Sequence, residues 1–237
     1  MLSAIVDLAQ AVHVVPVDVA PADVPESVKA GLTAVLGPAW LAVYVFGIRR
    51  AWLDGRTPIP LLAIPFNVAW EFCFGFVYIS RTPAVGVVAI RIWLLIDLLM
   101  VVVAFRFGWR DTPWMSARTF RICYALVFPY AILFTYLMAK ELNDLDGAYG
   151  AFGLNMFMSF AFVVMLLRRG STAGQSMYIG LGKLIGTAAS STLFALFFPA
   201  RPMLFLLYAT IFVLDCLYLV LLHRQFRIEG RPAWRVV

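Results

Sequence analysis

The sequence predicts an all-α membrane protein: a bundle of seven transmembrane helices, N-terminus outside and C-terminus cytoplasmic. Three observations predict it. The 237 residues are 63% hydrophobic with a mean hydropathy of +0.89, and only 14% are charged, about half the share of a soluble domain. Seven apolar runs, each near the ~20 residues that cross a bilayer, alternate with short polar separators. The basic residues fall unequally on the two sides of those runs.

In chain order, residues 1–30 form an extracytoplasmic segment. Its first fifteen residues are apolar but too short to span, so a short interfacial helix is expected there. "VPVDVAPADVPESVKA" is proline-rich and acidic, and no basic region precedes the apolar start, unlike a cleaved signal peptide. The expected spans are Gly31–Ile48, Ile59–Ile79, Val85–Phe105, Ile122–Ala139, Tyr149–Leu167, Met177–Phe198 and Met203–His223, making residues 31–223 one transmembrane domain. Residues 224–237 are a basic cytoplasmic tail. The separators, such as "RRAWLDGRTP", "RRGSTAGQS" and "PARP", carry helix breakers or charge.

Orientation follows from arginine and lysine in the loops. One side carries Arg49, Arg50, Arg56, Arg106, Arg110, Arg118, Arg121, Arg168, Arg169, Arg224, Arg227, Arg231 and Arg235. The other carries Lys29, Arg81, Lys140 and Arg201. The basic side is cytoplasmic, which agrees with an odd number of spans. The net charge of +6 is thus a property of loops at a lipid bilayer, spread between spans rather than gathered into a nucleic-acid-binding patch. Trp40, Trp52, Trp109 and Trp114 near span ends are expected as interface anchors. Cys73, Cys123 and Cys216 lie in apolar runs without a CxxC pair, so they are expected to be buried thiols rather than metal ligands or disulfides.

Glu71, Asp97 and Asp215 each stand about a dozen residues into a span, ~18 Å along the helix and near the bilayer middle. Three carboxylates at one depth are expected to face a single cavity. Residues on their helix faces or on neighbouring spans complete a polar and aromatic interior: Asn67, Trp70, Phe74, Tyr78, Arg91, Trp93, Asn155, Ser159, Tyr208 and Tyr218. Intramembrane ionisable groups are functional candidates by default, although a neutral acid can also serve as a strut between helices. Asp97 is the first candidate for a strut, with Arg91 or Lys183 as its neutralising partner. Asn67, one turn before Glu71, is the expected partner of Glu71. Trp70 lies about 100° around the helix from Glu71 and is expected to meet a neighbouring helix.

An acid sheltered in an apolar segment favours its neutral form and is a good general acid. Aromatic faces stabilise a developing carbocation, and a dry cavity keeps water from quenching it. These are the requirements of polyene cyclisation. The same acids would suit a proton-coupled transporter of a small apolar compound, although no internal repeat is visible. The sequence argues against a retinal photoreceptor, because the last span has no lysine for a Schiff base and Lys183 is the one lysine within the spans.

"FNVAWEF" in the second span and "FVLDCLYL" in the seventh resemble the small integral-membrane terpene cyclases of meroterpenoid and indole-diterpenoid biosynthesis, the pyripyropene-cyclase-like family. The stretch "RIWLLIDLL" is similar to that family's third span. The resemblance implies seven spans and catalytic roles for Glu71, which follows Trp70, and for Asp215, with Asp97 as a lesser candidate. It further implies a prenylated substrate, usually on an aromatic or heterocyclic head. Protonation of a terminal olefin or epoxide would start the cyclisation, with no cofactor and no metal. The sequence agrees to the extent that neither a DDxxD-like run nor a DxDD motif is present.

Overall fold

The computed structural model describes residues 21–78 and 84–235, so the expected interfacial helix within residues 1–15 lies outside the described residues. Among the described residues seven α-helices follow one another: α1 (Glu26–Asp54), α2 (Ala63–Phe72), α3 (Ala84–Phe107), α4 (Ala117–Glu141), α5 (Ala148–Arg169), α6 (Met177–Phe197) and α7 (Pro202–Ile228). There is no strand among the described residues. Six of the helices are long and apolar enough to cross a membrane.

The exception is α2. The expected span Ile59–Ile79 is shortened at its start, because Pro58 and Pro60 keep the chain out of helix until Ala63. After Phe72 the helix widens into a five-residue π turn, Cys73–Val77. Together they cover about 22 Å, less than the ~30 Å hydrocarbon core. A π turn frees a carbonyl, and here the Gly75 oxygen accepts a bond of 2.9 Å from Arg91 Nε.

The other helices have ordinary start and stop signals. α1 begins after Pro25, five residues before the expected span, and ends at Gly55, whose φ of 61° forms the left-handed cap. Asp144 accepts from the N–H groups of Tyr149 and Gly150 at 3.1 and 2.7 Å, satisfying the first turn of α5. Ser176 caps α6, and Pro202 opens α7. The tail after α7 is docked rather than free: Tyr178 donates to the Trp234 carbonyl at 2.8 Å.

Packing does not follow chain order. α1 lies most extensively against α6, while α7 packs on α5 and α6. The short α2 sits among α3, α4 and α5, and α3 also touches α1. The α1–α6 contact is close because Gly182 and Gly186 are spaced four apart on one face of α6. A Cβ on Gly182 would meet the Ala39 carbonyl oxygen at 2.9 Å, and one on Gly186 would meet Trp40 at 2.6 Å. Small residues at that spacing let helices approach at backbone distance. Trp40 therefore packs inside this contact instead of anchoring at the interface, whereas Trp52 and Trp114 are exposed. Of the cysteines, Cys73 is buried, Cys216 partly so, and Cys123 is exposed, because α4 and α5 barely touch and leave an open cavity that Cys123 lines.

Candidate active site

The acids Glu71, Asp97 and Asp215 fall in two buried polar clusters. The first joins α1, α2 and α3. Glu71 and Asp97 are both buried and lie close enough to interact directly. Tyr44 from α1 and Asn67 from α2 also reach Asp97. Even so, neither Asp97 oxygen nor Glu71 Oε2 has a closed hydrogen bond. Buried acid oxygens without a partner are rare and costly. Around the pair, Tyr44 stacks on Trp93 with centroids 5.8 Å apart. Asn67 thus faces Asp97 and Tyr44.

The second cluster joins α5, α6 and α7. Lys183 Nζ donates to both oxygens of Asp215, at 2.7 and 2.9 Å, and to Ser159 Oγ at 2.6 Å. Ser159 in turn donates to the Asn155 carbonyl at 2.9 Å, and Asn155 Nδ2 donates to Thr187 Oγ1 at 3.1 Å. One turn beyond Asp215, Tyr218 donates to Gln175 Oε1. Asp215 also borders a pocket of about 290 Å³ between α6 and α7, together with Thr187, Ser191 and Tyr208. The Tyr208 hydroxyl is buried there without a partner, and its ring meets Phe152 edge-on at 4.5 Å.

The three acids therefore form two clusters, not one. The reason is packing: α3 lies against α1 and α2, while α7 lies against α5 and α6. Neither expected neutraliser of Asp97 reaches it. Lys183 is taken by Asp215, and Arg91 bonds the π turn while its guanidinium stacks 4.6 Å over Phe76.

The aromatic candidates on α2 do local work. Trp70 Nε1 donates to the Gly147 carbonyl at 3.0 Å, which ties α2 to the start of α5. Phe74 is buried directly beneath Gly147, where a Cβ would sit 2.9 Å from its ring. Tyr78 donates to the Tyr136 carbonyl at 3.0 Å and stacks on the Tyr136 ring.

Tyr44 was not among the expected site residues. Its signal is slight, a single hydroxyl amid the apolar middle of the first span. Lys183 was visible as the one lysine within the spans, but its partner could not be told from one helix alone.

A family model of Pyr4-like transmembrane terpene cyclases matches residues 16–225. Terpene cyclase olcD of Penicillium canescens is 32% identical over 175 residues, 72% of this chain and 69% of that protein. The Pyr4-family terpene cyclase mfmH of Annulohypoxylon moriforme is 29% identical over 173 residues, 70% of each chain. Terpene cyclase pyr4 of Aspergillus fumigatus is 28% identical over 156 residues, 64% of each chain. No solved structure matches the chain. Nothing in these similarities supports the transporter alternative. The chain belongs to the Pyr4-like transmembrane terpene cyclases and is a multi-pass membrane enzyme that performs terpene cyclisation.

Proposed function

We propose that the protein starts cyclisation by protonating the terminal olefin or epoxide of a prenyl chain, and that Glu71 delivers the proton. The observation that carries this reading is the buried Glu71–Asp97 pair with its unbonded oxygens. When Glu71 gives up its proton, the anion left behind can share the proton that remains on Asp97, so two adjacent anions never form in the dry site. A buried carboxyl pair is therefore a better acid source than a lone carboxyl once substrate excludes water around it. Protonation of the terminal group leaves a tertiary cation, which the internal double bonds attack in turn. Loss of a proton at the last ring restores neutrality, so substrate and product have equal mass.

Tyr44, Trp93 and Asn67 surround the pair in this reading. The rings offer π-faces to the cation, and Asn67 holds Asp97 in place. Asp215 has a different role. Its carboxylate is held by Lys183, which Ser159 in turn holds in place, so it is suited to accept the final proton rather than to supply the first.

All seven helices cross the bilayer in this proposal, α2 with its π turn by a locally shortened path. The thirteen loop-side arginines support a cytoplasmic C-terminus and an extracytoplasmic N-terminus. Residues 31–223 form the cyclase domain, residues 1–30 an outer segment and residues 224–237 the basic tail.

The test uses purified protein in nanodiscs, farnesylated aromatic compounds with and without a terminal epoxide, and a chelator. The parent should form isomers of equal mass. Glu71→Gln should lose about 10²–10⁴ in turnover, the usual worth of a general acid, while keeping its thermal midpoint. Asp97→Asn should lose less. Full turnover in Glu71→Gln would sink the assignment.

A further inference from the structure

One large feature belongs to neither acid cluster. A cavity of about 730 Å³ opens at the arginine-rich end of the bundle, between the start of α2 and the facing sides of α4 and α5. α4 and α5 are consecutive in the chain but barely touch, and the cavity occupies that gap. Its volume lies in the range that encloses a medium-sized organic ligand.

The two ends of the cavity differ in chemistry. Its walls are apolar, with Val127, Phe157, Phe160 and Val164 among them. Its mouth carries Arg56, Arg110, Arg168 and Arg169 against one acid, Asp111. Asp111 is already engaged, by Arg169 Nη2 at 2.5 Å and Arg56 Nη1 at 3.1 Å. Arg168 is exposed, forms no ion pair among the described residues, and lies 5.4 Å over the Trp114 ring. The mouth thus keeps an excess of positive charge.

The inner wall is Tyr124. Its hydroxyl donates to the Leu61 carbonyl at 2.8 Å, and its ring packs against Phe105, Phe120 and Phe128. Tyr124 is also within electrostatic range of Asp97. The cavity therefore runs from a basic mouth, along apolar walls, to Tyr124, within electrostatic range of Asp97.

We infer that this cavity binds the enzyme's substrate head-outward: an acidic head, carboxylate or enolate, against Arg168, and the prenyl chain along the α4–α5 gap towards Tyr124. The inference rests on the reading of Glu71–Asp97 as the proton source, since that sets which end of the substrate must lie innermost. Charge complementarity selects the head, and the apolar walls select the tail. The gap between α4 and α5 also gives a lipid-dissolved chain a lateral way in.

The test is equilibrium binding of two probes, 3-farnesyl-4-hydroxybenzoate and its methyl ester, to full-length protein in phosphatidylcholine nanodiscs. The acid should bind about tenfold more tightly than the ester, and added salt should weaken only the acid. Arg168→Gln should remove that preference and leave ester binding within about twofold of the parent. Val164→Trp, which fills the wall, should weaken both probes. Equal binding of acid and ester by the parent, or equal weakening of both by Arg168→Gln, overturns the proposal. So does loss of acid binding when phosphatidylglycerol is included, which would make the mouth a lipid-headgroup site. Because the readout is binding, the preference must persist in Glu71→Gln. A Glu71→Gln variant that still cyclises would refute the proton-source reading without touching this measurement.

Discussion

Lys183 Nζ lies 2.7 Å from Asp215 Oδ1, and both side chains are almost wholly shielded inside the bundle. A buried pair of this kind is weak evidence for stability as a whole, but breaking it is expensive, because the survivor is left charged and alone. Lys183→Met should therefore lower stability by about 3–5 kcal/mol. The double variant Lys183→Met/Asp215→Leu should recover most of that loss yet remain inactive. Thermal unfolding in detergent micelles, run beside a turnover assay, separates the two effects. A double variant as unstable as the single one would mean that the pair is not what holds α6 to α7.

The α1–α6 contact makes a second prediction. Gly182→Ala puts a methyl 2.9 Å from the Ala39 carbonyl, a backbone atom that cannot swing aside. The helices must separate, at a cost of about 1–3 kcal/mol. Lys183 is the next residue, so the shift should disturb its bond to Asp215 and lower turnover as well. Gly153→Ala, where a Cβ meets nothing within 4 Å, is the control and should be neutral in the melting curve.

At the loop end, Asp111 ties three segments together. It accepts from Thr57 Oγ1 at 2.8 Å and from Arg169 Nε at 3.0 Å, and Arg169 Nη2 also bonds Thr57. Asp111→Asn should cost about 1–3 kcal/mol, since it leaves partly buried donors short of an anion. Proteolysis of the loops in nanodiscs should show the α3–α4 connection becoming more accessible, with the rest of the chain as protected as before.

The C-terminal tie should be pH-sensitive. Burial pushes the Glu229 carboxyl up, but bonds from Thr172, Gln225 and Arg231 outweigh it and hold the group below the ordinary value of 4.5. A depressed carboxyl adds stability that is fully present above pH 4.5 and is lost as pH falls through its lower folded value. The parent should therefore lose part of its tail protection in acid, measured by hydrogen exchange at Thr172 and in the tail. Glu229→Gln should show reduced protection already at neutral pH and little further change on acidification.

Much of the fold was legible in the sequence. Six of the expected spans coincide with helices long enough to cross a membrane, because twenty apolar residues between breakers leave the backbone few other choices in lipid. The second span was the exception. Its apolar run extends back to Ile59, but Pro58 and Pro60 delay the helix until Ala63, and a π turn follows Phe72; the expected end at Ile79 lies outside the described residues. Glu71, Asp97 and Asp215 were recognisable as candidates because a charge amid apolar residues is conspicuous in one dimension. Their partners were not, since an i±3 or i±4 rule sees only one helix. Tyr44 and Lys183 reach the acids from other helices, and Ser159 holds Lys183 from a third.

By itself, the sequence determined that this is a helical membrane protein, where its helices lie, which side of them is basic, and which acids are sheltered. Those properties follow from local composition and the cost of exposing backbone or charge to lipid. Only the tertiary structure decided that Glu71 meets Asp97 and that Asp215 meets Lys183. That choice depends on which helices pack side by side, and it is set by contacts far apart in the chain, such as Gly182 against Ala39. One common depth made a single three-acid site a reasonable expectation; the order of helices around the bundle divides it into a carboxyl pair and an ion pair.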